Sequence, residues 1–196
     1  MPFPCEEIVM AKVKVFAFRI ELFRNFPFQN CSMLLNKITA DKKIKRMALE
    51  INERNHDQQE ILLVGIKSNG VIIAAKIADY LKSYFAGKVR LIELSMDKKQ
   101  PGEITLSEPV NFNGQTVVLI DDVANSGSTM LYALKPMLSD HPRKIETLVL
   151  LERTHKRFPV DVSYVGLSVA TASDEYIEVT VEGQEVTGAF LRKFSG

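Results

Sequence analysis

Short, largely apolar runs alternate along this chain with longer segments of helical periodicity. The runs are EILLVGI (60–66), VRLIEL (89–94), TVVLID (116–121), IETLVLL (145–151) and VSYVGL (162–167). A strand that is apolar on both faces belongs in a parallel sheet whose two faces are covered by helices. The alternation therefore predicts an α/β three-layer sandwich built on a mostly parallel, five-stranded sheet.

Helical patterns fill the intervals between these runs. The clearest covers residues 36–55, where apolar residues recur at i, i+3, i+4 and i+7: Ile44, Met47, Ala48 and Ile51. Residues 72–85 form a second helical pattern, and a third begins near Met130. The polar segment 97–115 contains an Asn113-Gly114 pair, which favours a hairpin. The sequence thus predicts three helices and one hairpin among the strands.

Residues 1–32 differ in pattern from the rest of the chain. Lys12–Leu22 (KVKVFAFRIEL) is rich in β-formers, and RNFPFQNCS (24–32) then breaks the pattern. We expect an N-terminal extension or arm at residues 1–32 and one domain at residues 33–196. Two origins stay open for the arm: an extra edge strand of the fold, or an upstream extension of a chain whose natural start is Met33.

Charge and cysteine content narrow the class of protein. Lys and Arg total 25 against 24 Asp and Glu, so the net charge of +1 does not call for a nucleic-acid partner. Cys5 and Cys31 form neither a disulfide framework nor a metal-ligand spacing. The chain has no apolar run long enough to span a membrane and no signal-peptide layout. We expect a cytoplasmic protein whose side chains form no dedicated metal site.

Two adjacent acids end the third run, and a loop of small residues follows them. Asp121 and Asp122 stand where a buried strand ends, although adjacent carboxylates repel each other and lose solvation there. The next segment, VANSGST (123–129), places a glycine between hydroxyl residues, and backbone N–H groups in such strand-to-helix loops bind phosphate. It does not have the Walker pattern. Because carboxylates beside a phosphate accept from sugar hydroxyls, the combination predicts a site for a ribose 5-phosphate.

Three segments carry a resemblance to a known family. VVLIDDVANSGST (117–129) resembles the signature of type I phosphoribosyltransferases, which bind phosphoribosyl pyrophosphate there. ILLVGIKSNGVIIAAKIADYL (61–81) and LVLLERTHKRFPVDVSYVGLSVAT (148–171) are similar to segments of the pyrimidine-operon attenuator/uracil phosphoribosyltransferase proteins, and the second is also similar to the segment of hypoxanthine-type enzymes. The likeness covers roughly residues 36–180. The resemblance implies the three-layer fold with a small hood. It also implies transfer of ribose 5-phosphate from phosphoribosyl pyrophosphate to a nucleobase, with release of pyrophosphate.

The resemblance also assigns roles to residues at matching positions. Asp121 and Asp122 are the expected catalytic residues, which bracket the ribose 2- and 3-hydroxyl groups. The expected substrate-binding residues form the phosphate loop (Ala124, Asn125, Ser126, Gly127, Ser128 and Thr129), the pyrophosphate loop (Lys67, Ser68, Asn69 and Gly70) and the base-side segment (Glu152, Arg153 and Val160). The family often has a non-proline cis peptide in the pyrophosphate loop, expected here at Lys67-Ser68. Mg²⁺ is implied as the cofactor, and a homodimer or homotetramer as the assembly.

Two departures from purine-type members bear on the identity of the base. Those enzymes have an acid at the position of Asn125, and an amide cannot act as an acid or base. They also have a lysine at the position of Glu152, and a carboxylate cannot donate to the 6-oxo group of a purine. The pyrimidine regulators have an aspartate at this second position. Both departures favour a pyrimidine, such as uracil, as the acceptor.

Three further departures favour a second hypothesis, a catalytically weak regulator of pyrimidine metabolism that senses a nucleotide. Asn69 stands where similar proteins have an arginine for the leaving pyrophosphate, and GLSVAT (166–171) replaces a version with lysine and proline. MDKKQPGEITLSE (96–108) is shorter than the usual closing loop and lacks its Tyr-Arg pair. Lys98 or Lys99 is a candidate for the missing charge.

RNA is the additional partner that such a regulator would bind. The candidate basic residues are Arg143, Lys144, Arg153, Lys156 and Arg157, with His155 among them. Under a net charge of +1 a solvated surface is the simpler interpretation of these cations. No membrane partner is expected.

Overall fold

The structure, a computed structural model, describes residues 31–97 and 102–193. Their elements in chain order are β1 (Cys31–Asn36), α1 (Lys37–Asn55), β2 (Glu60–Ile66), α2 (Asn69–Leu81), β3 (Lys88–Met96), β4 (Ile104–Leu106), β5 (Thr116–Ala124), α3 (Ser128–Ala133), α4 (Lys135–Leu138), β6 (Lys144–Arg153), β7 (Tyr164–Val169), β8 (Glu175–Glu182) and β9 (Glu185–Lys193). The predicted strand at Lys12–Leu22 and the candidates Lys98 and Lys99 lie outside the described residues. The predicted division at residue 32 stays a prediction.

One sheet of six strands forms the centre of the fold, in the order β4-β3-β2-β5-β6-β7. The five predicted strands are all present, and they pair in parallel with one another, from Glu60 opposite Lys88 to Arg153 opposite Val169. The predicted α/β class is therefore confirmed. Within this sheet, β4 is a strand that the sequence did not predict, a three-residue antiparallel edge that pairs with the end of β3.

The hairpin in this region lies earlier than the Asn-Gly pair predicts. It joins β3 to β4, which ends at Leu106, and the Asn113-Gly114 turn follows later, just before β5. Gly114 adopts the left-handed conformation (φ +70°), and no atom lies within 4 Å of where its Cβ would stand. The pair therefore forms the entry to β5 rather than a strand-to-strand turn.

Helices cover both faces of the sheet and make two separate cores. Alternate residues of β5 enter them: Val118 and Ile120 pack with α1 and α2, whereas Val117 and Leu119 pack with α3 and α4. All four side chains are fully buried. Burial on both faces explains why the strands read as continuous apolar runs. No helix in the described part of the chain is long and apolar enough to cross a membrane.

A second, three-stranded sheet has the order β1-β9-β8, with β8 and β9 antiparallel. Ile177 and Val179 of β8, with Val186 and Ala189 of β9, are buried in the α1–α2 core. We call β1, β8 and β9 the hood, because they form the small additional sheet that the resemblance implies. Its first strand begins at Cys31.

Two helices differ from their predicted extents. α2 begins at Asn69 instead of residue 72 and ends at Leu81, so half of the predicted turn KSNG is helical. The helical pattern after Met130 is divided into α3 and α4, because Pro136 stands at the start of α4. Proline lacks the N–H that a continuous helix needs, and its ring clashes with the preceding turn.

The start of α1 offers a test of local helix stability. Asn36 occupies the N-cap position, and its Oδ1 accepts a 2.9 Å hydrogen bond from the Thr39 N–H. Replacing Asn36 by Ala is expected to lower the free energy of unfolding by about 1 kcal/mol, because that N–H loses its partner. Urea unfolding at pH 7 measures the change. Asn36→Asp keeps an acceptor and is the control; an equal loss in both variants would contradict a capping role.

Candidate active site

The carboxyl ends of β2, β5 and β6 meet at one edge of the sheet, where ligands of such sheets bind. The pyrophosphate loop follows β2, the two acids and the phosphate loop close β5, and the base-side segment follows β6. Residues far apart in the sequence are thereby brought together. Two cavities lie at this edge, and both are lined in part by Asn125 and Ser126.

The smaller cavity is enclosed by the end of β5 and the loop after it. It has a volume of about 50 Å³ and is lined by Val123, Ala124, Asn125, Ser126, Gly127, Thr129 and Met130. Gly127 has a left-handed backbone (φ +83°), which turns the chain into α3. Ser126 Oγ accepts a 3.3 Å hydrogen bond from the Ser128 N–H. The predicted phosphate loop therefore closes around a small space.

Asp121 and Asp122 lie among the last four residues of β5, which extends to Ala124, three residues beyond the predicted end of the strand at Asp121. Asp121 is buried, with 1% of its surface exposed, and its Oδ1 accepts a 3.0 Å hydrogen bond from the Asp122 N–H. Asp122 accepts at both carboxylate oxygens: Oδ1 from the Val123 N–H (3.0 Å) and Oδ2 from Asn69 Nδ2 (2.8 Å). These donors offset part of the cost of placing two carboxylates side by side.

The pyrophosphate loop is fixed between β3 and β5. Its Lys67-Ser68 peptide is cis, as the resemblance implies. The Lys67 N–H donates to the Leu94 carbonyl at 2.8 Å, and a Cβ on Gly70 would stand 2.7 Å from the Ile120 carbonyl oxygen. Only glycine permits α2 to begin this close to β5. The loop therefore lies directly against the strand that carries the two acids.

The larger cavity shares Asn125 and Ser126 with the smaller one and has a volume of about 460 Å³. Its lining comes from the phosphate loop (Asn125 and Ser126), the base-side segment (Arg153, His155 and Arg157) and the hood with the residues just before it (Glu175 and Ser173). Because basic side chains and hydroxyl groups form much of this lining, hydrogen-bond donors predominate in the wall of the larger cavity.

Backbone hydrogen bonds fix the base-side segment on the phosphate loop. The N–H groups of Arg157 and Phe158 both donate to the Ser126 carbonyl, each at 3.0 Å, and the Val160 N–H donates to the Phe158 carbonyl at 2.8 Å. Val160 is buried in the α3–α4 core. It lines neither cavity, so its expected contact with the base stays a prediction.

Glu152 also lines neither cavity, and its carboxylate is hydrogen-bonded to neighbouring side chains at the end of β6. Its Oε2 accepts from Lys156 Nζ at 2.6 Å and its Oε1 from Ser168 Oγ at 2.7 Å. Partial burial by itself raises the pKa of Glu152, but the two hydrogen bonds and the positive charge of Lys156 outweigh it, so the pKa lies below its ordinary value. The expected role of Glu152 in binding the base stays a prediction.

The Glu152–Lys156 pair should make a pH-dependent contribution to stability. Because the pKa of Glu152 is lowered in the folded protein, the contribution is complete above the ordinary value of 4.5 and is lost as the pH falls through the folded value. Lys156→Met is expected to lower the free energy of unfolding by about 1 kcal/mol at pH 7, and by less at pH 3. Urea unfolding at the two pH values measures the difference.

The exposed ion pair of Lys82 with Asp79 provides the control. Lys82→Met should change the free energy of unfolding little at either pH, because solvent screens an exposed pair. A Lys156→Met effect of the same size at pH 3 and pH 7 would show that packing of the lysine stem, and not its charge, stabilises the fold.

Arg153 joins the larger cavity to the segment before β8. Its Nη2 donates to the Ala172 carbonyl at 2.6 Å, and the Ala172 N–H donates to Glu175 Oε2 at 2.8 Å. The Arg153 Nε is buried and has no hydrogen-bond partner among the described residues. Arg153, a predicted substrate-binding residue, therefore lines the larger cavity and also has a buried donor, Nε, that makes no hydrogen bond to the described residues.

The basic residues considered as one RNA-binding surface lie in two groups, and their role in binding RNA stays a prediction. They lie at the two ends of β6: Arg143 and Lys144 at the amino end, and Arg153, Lys156 and Arg157 at or beyond the carboxyl end. Lys156 is paired with Glu152, as described above. The cations that remain together are those that line the larger cavity.

Within residues 31–97 and 102–193, no group of three or more His, Cys, Asp or Glu side chains is arranged to hold a metal ion. Asp121 and Asp122 supply two adjacent carboxylates, which are hard oxygen ligands of the kind that Mg²⁺ takes. Mg²⁺ commonly binds through one or two carboxylates together with substrate phosphates. The donor set therefore fits a Mg²⁺ ion that is held mainly by a phosphorylated substrate.

Sequence patterns do not indicate all the residues around the larger cavity. Ser173 and Glu175 come from a segment without a motif, and their place beside the phosphate loop depends on how the hood folds. His155 and Arg157 stand out in the sequence only as basic residues of the base-side segment. In the closing loop, the described residues 96–97 and 102–108 line neither cavity.

Comparison with known proteins identifies the family. The family model described as "Phosphoribosyl transferase domain" matches residues 31–184. The chain is 34% identical over 165 residues to the "Bifunctional protein pyrR" of Enterococcus faecalis (strain ATCC 47077 / OG1RF), covering 80% of this chain and 92% of that protein. It is 30% identical over 165 residues to the "Pyrimidine operon regulatory protein" of Lactococcus lactis subsp. lactis, covering 82% of this chain and 95% of that protein.

Solved structures share the fold at lower identity. The hypoxanthine phosphoribosyltransferase of Trypanosoma cruzi matches with a TM-score of 0.69 at 16% identity, covering 83% of this chain and 97% of that chain. A hypoxanthine-guanine phosphoribosyltransferase of Bacillus anthracis matches with a TM-score of 0.63 at 19% identity, covering 82% and 99%. The domain match and the sequence relatives show, with the fold, that the chain belongs to the phosphoribosyltransferase family.

Proposed function

We propose that this protein transfers ribose 5-phosphate from phosphoribosyl pyrophosphate to a pyrimidine base, with uracil as the favoured acceptor, and releases pyrophosphate. Membership of the family makes the protein a pentosyltransferase. The observation that carries the proposal is the place of the small cavity directly beside Asp121 and Asp122. A ribose 5-phosphate has a phosphate for the cavity and two ring hydroxyls for the acids.

The phosphate loop and the acids orient the ribose in this proposal. Backbone N–H groups with the hydroxyls of Ser126 and Thr129 donate to the 5-phosphate, and Asp121 and Asp122 accept from the 2- and 3-hydroxyls. The bond between C1 and the pyrophosphate oxygen breaks, a bond from C1 to a nitrogen of the base forms, and the proton of that nitrogen passes to the released pyrophosphate. Positive charge develops on the ribose ring, so fixed carboxylates stabilise the transition state, and orientation supplies the remaining acceleration.

The larger cavity receives the base. It shares Asn125 and Ser126 with the phosphate cavity, so a base attached to a bound ribose phosphate lies within reach of it. Arg153, His155 and Arg157 donate to carbonyl oxygens of the base, since a guanidinium group has no acceptor. Uracil presents two such oxygens, whereas cytosine has an amino group in place of one. The donor-rich wall therefore supports uracil over cytosine.

Mg²⁺ is the proposed cofactor, with Asp121 and Asp122 as the protein groups that fit it. When bound, the ion neutralises negative charge on the pyrophosphate. The chain itself contributes the orientation of the ribose and of the base. A homodimer or homotetramer is the proposed assembly, which light scattering after gel filtration measures.

An assay of pyrophosphate release tests the proposed reaction and its base. The full chain is incubated with phosphoribosyl pyrophosphate, Mg²⁺ and one of four bases: uracil, cytosine, hypoxanthine or guanine. We expect turnover with uracil and about 100-fold slower turnover with cytosine. The amino group of cytosine is a donor, and in the larger cavity it would face other donors in place of an acceptor. Faster turnover with hypoxanthine than with uracil would overturn the assignment of the base. No turnover with any of the four would overturn the assignment as an efficient enzyme.

A second candidate function is a regulator that binds a nucleotide, catalyses slowly and contacts RNA. The names of the relatives favour it, since one is called bifunctional and another a pyrimidine operon regulatory protein. The neutral Asn69 in the pyrophosphate loop and the exposed His155 and Arg157 beside the larger cavity also favour it. Uridine 5′-monophosphate is the probe: a higher melting temperature with this nucleotide, together with no measurable turnover, would favour the regulator.

A further inference from the structure

Asn69 stands where similar proteins have an arginine for the leaving pyrophosphate, but its side chain makes contacts of another kind. Here Asn69 Nδ2 donates to Asp122 Oδ2 at 2.8 Å and to the Val179 carbonyl at 3.1 Å. Asn69 is the first residue of α2, Asp122 lies near the end of β5, and Val179 belongs to hood strand β8. One amide group therefore joins three elements of the fold.

The chemistry of the two partners fixes the orientation of this amide. A carboxylate and a backbone carbonyl both accept hydrogen bonds, so only the NH₂ end of Asn69 satisfies both. Both contacts are partly buried, and Val179 itself has 7% of its surface exposed. A hydrogen bond to a carboxylate is strong where water is largely excluded. The two contacts therefore act as a fixed tether.

This tether acts on a carboxylate that the proposed function places against the ribose. Asp122 Oδ1 accepts from the Val123 N–H, and Oδ2 accepts from Asn69. Donors on both oxygens set the plane of the carboxylate. Because an amide is neutral, it orients Asp122 and leaves the negative charge of the acid available to the ribose, which an arginine at the same distance would partly cancel.

The carbonyl of Val179 connects the same amide to the wall of the larger cavity. β8 begins at Glu175, which lines that cavity. Val179 stands four residues further along the strand, a distance of about 13 Å. One hood strand therefore contributes to the larger cavity at its start and to the placement of Asp122 in its middle.

We propose, building on the proposed function, that Asn69 is a positioning residue that holds the Asp122 carboxylate in the orientation that receives the ribose hydroxyls, with hood strand β8 as its second anchor. Asn69 acts through Asp122 rather than on the leaving pyrophosphate. Its removal therefore weakens the binding of ligands that contain the ribose and leaves the binding of phosphate unchanged.

Two ligands separate this role from general damage to the site. Isothermal titration of the full chain measures the affinity for ribose 5-phosphate and for inorganic phosphate. The proposed function places inorganic phosphate in the small cavity, whose lining does not include Asp122. In Asn69→Ala we expect the affinity for ribose 5-phosphate to fall about 10- to 100-fold. The affinity for inorganic phosphate should stay within about twofold of wild type.

Further variants sharpen the test. Asn69→Asp should lose at least as much ribose 5-phosphate affinity as Asn69→Ala, because it removes the donor and adds a third carboxylate beside Asp121 and Asp122. Asn69→Ser replaces the alanine variant if that variant does not fold. Asn113→Ala removes an amide from the turn before β5, at the other end of that strand, and should change neither affinity.

Two results would overturn the positioning role: an unchanged affinity for ribose 5-phosphate in Asn69→Ala, or parallel losses for both ligands. Wild-type protein that binds neither ribose 5-phosphate nor phosphoribosyl pyrophosphate with Mg²⁺ would overturn the proposed function and this inference together. Wild-type protein that binds both, with Asn69→Ala unchanged, would overturn the inference alone.

Discussion

Replacing Asp122 by asparagine is expected to slow pyrophosphate release from phosphoribosyl pyrophosphate and uracil roughly 100- to 1,000-fold. The substitution keeps the size of the side chain and removes the negative charge that faces the ribose as positive charge develops at C1. It also removes one acceptor: the carboxylate accepts from both Val123 and Asn69, whereas an asparagine can satisfy only one of these donors in either orientation. A steady-state assay of kcat and kcat/KM measures the loss.

Asp140→Asn is the matched control for this experiment. Asp140 also accepts from a backbone N–H, that of Phe112 at 2.7 Å, but it stands before β6, at the amino end of the strands. The control removes the same charge and should leave turnover within about twofold of wild type. If Asp122→Asn keeps more than a tenth of the wild-type rate, the acid does not stabilise the transition state and its proposed role fails.

The central strands of the main sheet can be predicted from the sequence because they are enclosed on both faces. In β5, the residues Val117 to Ile120 enter two cores in alternation, and each is fully buried. No polar residue interrupts such a run, so the length and position of the strand can be recognised from the sequence alone. The same reasoning finds β2 and β6, whose central residues are also buried.

The hood could not be predicted as strands from the residues themselves, for the opposite reason. Ile177 and Val179 of β8 enter the α1–α2 core, while Glu178 between them is only partly buried. A sheet with one covered face gives short apolar signals that charged residues interrupt. Its pairing also joins β1, near the start of the described chain, to β9, near its end. Only the resemblance to a family implied the hood.

The same distinction applies to the candidate site. Asp121, Asp122 and the phosphate loop are contiguous, so residue type and order are enough to indicate them. The contacts of Glu152 could not be predicted in this way, because they depend on how β6 and β7 are aligned. Ser168 of β7 lies opposite Glu152, and Lys156 contacts it from the segment that follows β6. The larger cavity likewise draws on three separate segments. Motifs therefore indicate the residues of the proposed ribose phosphate site more completely than those of the proposed site for the base.

Gly127→Val is expected to have the second large effect, on phosphate binding and on stability together. Gly127 has a φ of +83°, a conformation that costs a β-branched residue about 2 kcal/mol. A Cβ there would also stand 3.3 Å from the Phe158 carbonyl oxygen, in the segment that is hydrogen-bonded to Ser126. Relief of this contact moves the segment away from the loop, so the affinity for inorganic phosphate should fall about 10- to 100-fold. Titration calorimetry and urea unfolding measure the two effects.

Gly183→Val is the control that separates the loss of stability caused by backbone strain from the loss of phosphate affinity. Gly183 also has a positive φ (+60°), in the turn between β8 and β9, but no atom lies within 4 Å of its Cβ position. This variant should lose a similar amount of stability and bind phosphate as wild type does. Equal losses of affinity in both variants would attribute the effect to the weakened fold. Unchanged affinity in Gly127→Val would mean that phosphate does not bind in this loop, because the cavity cannot keep its lining once the turn at Gly127 has opened.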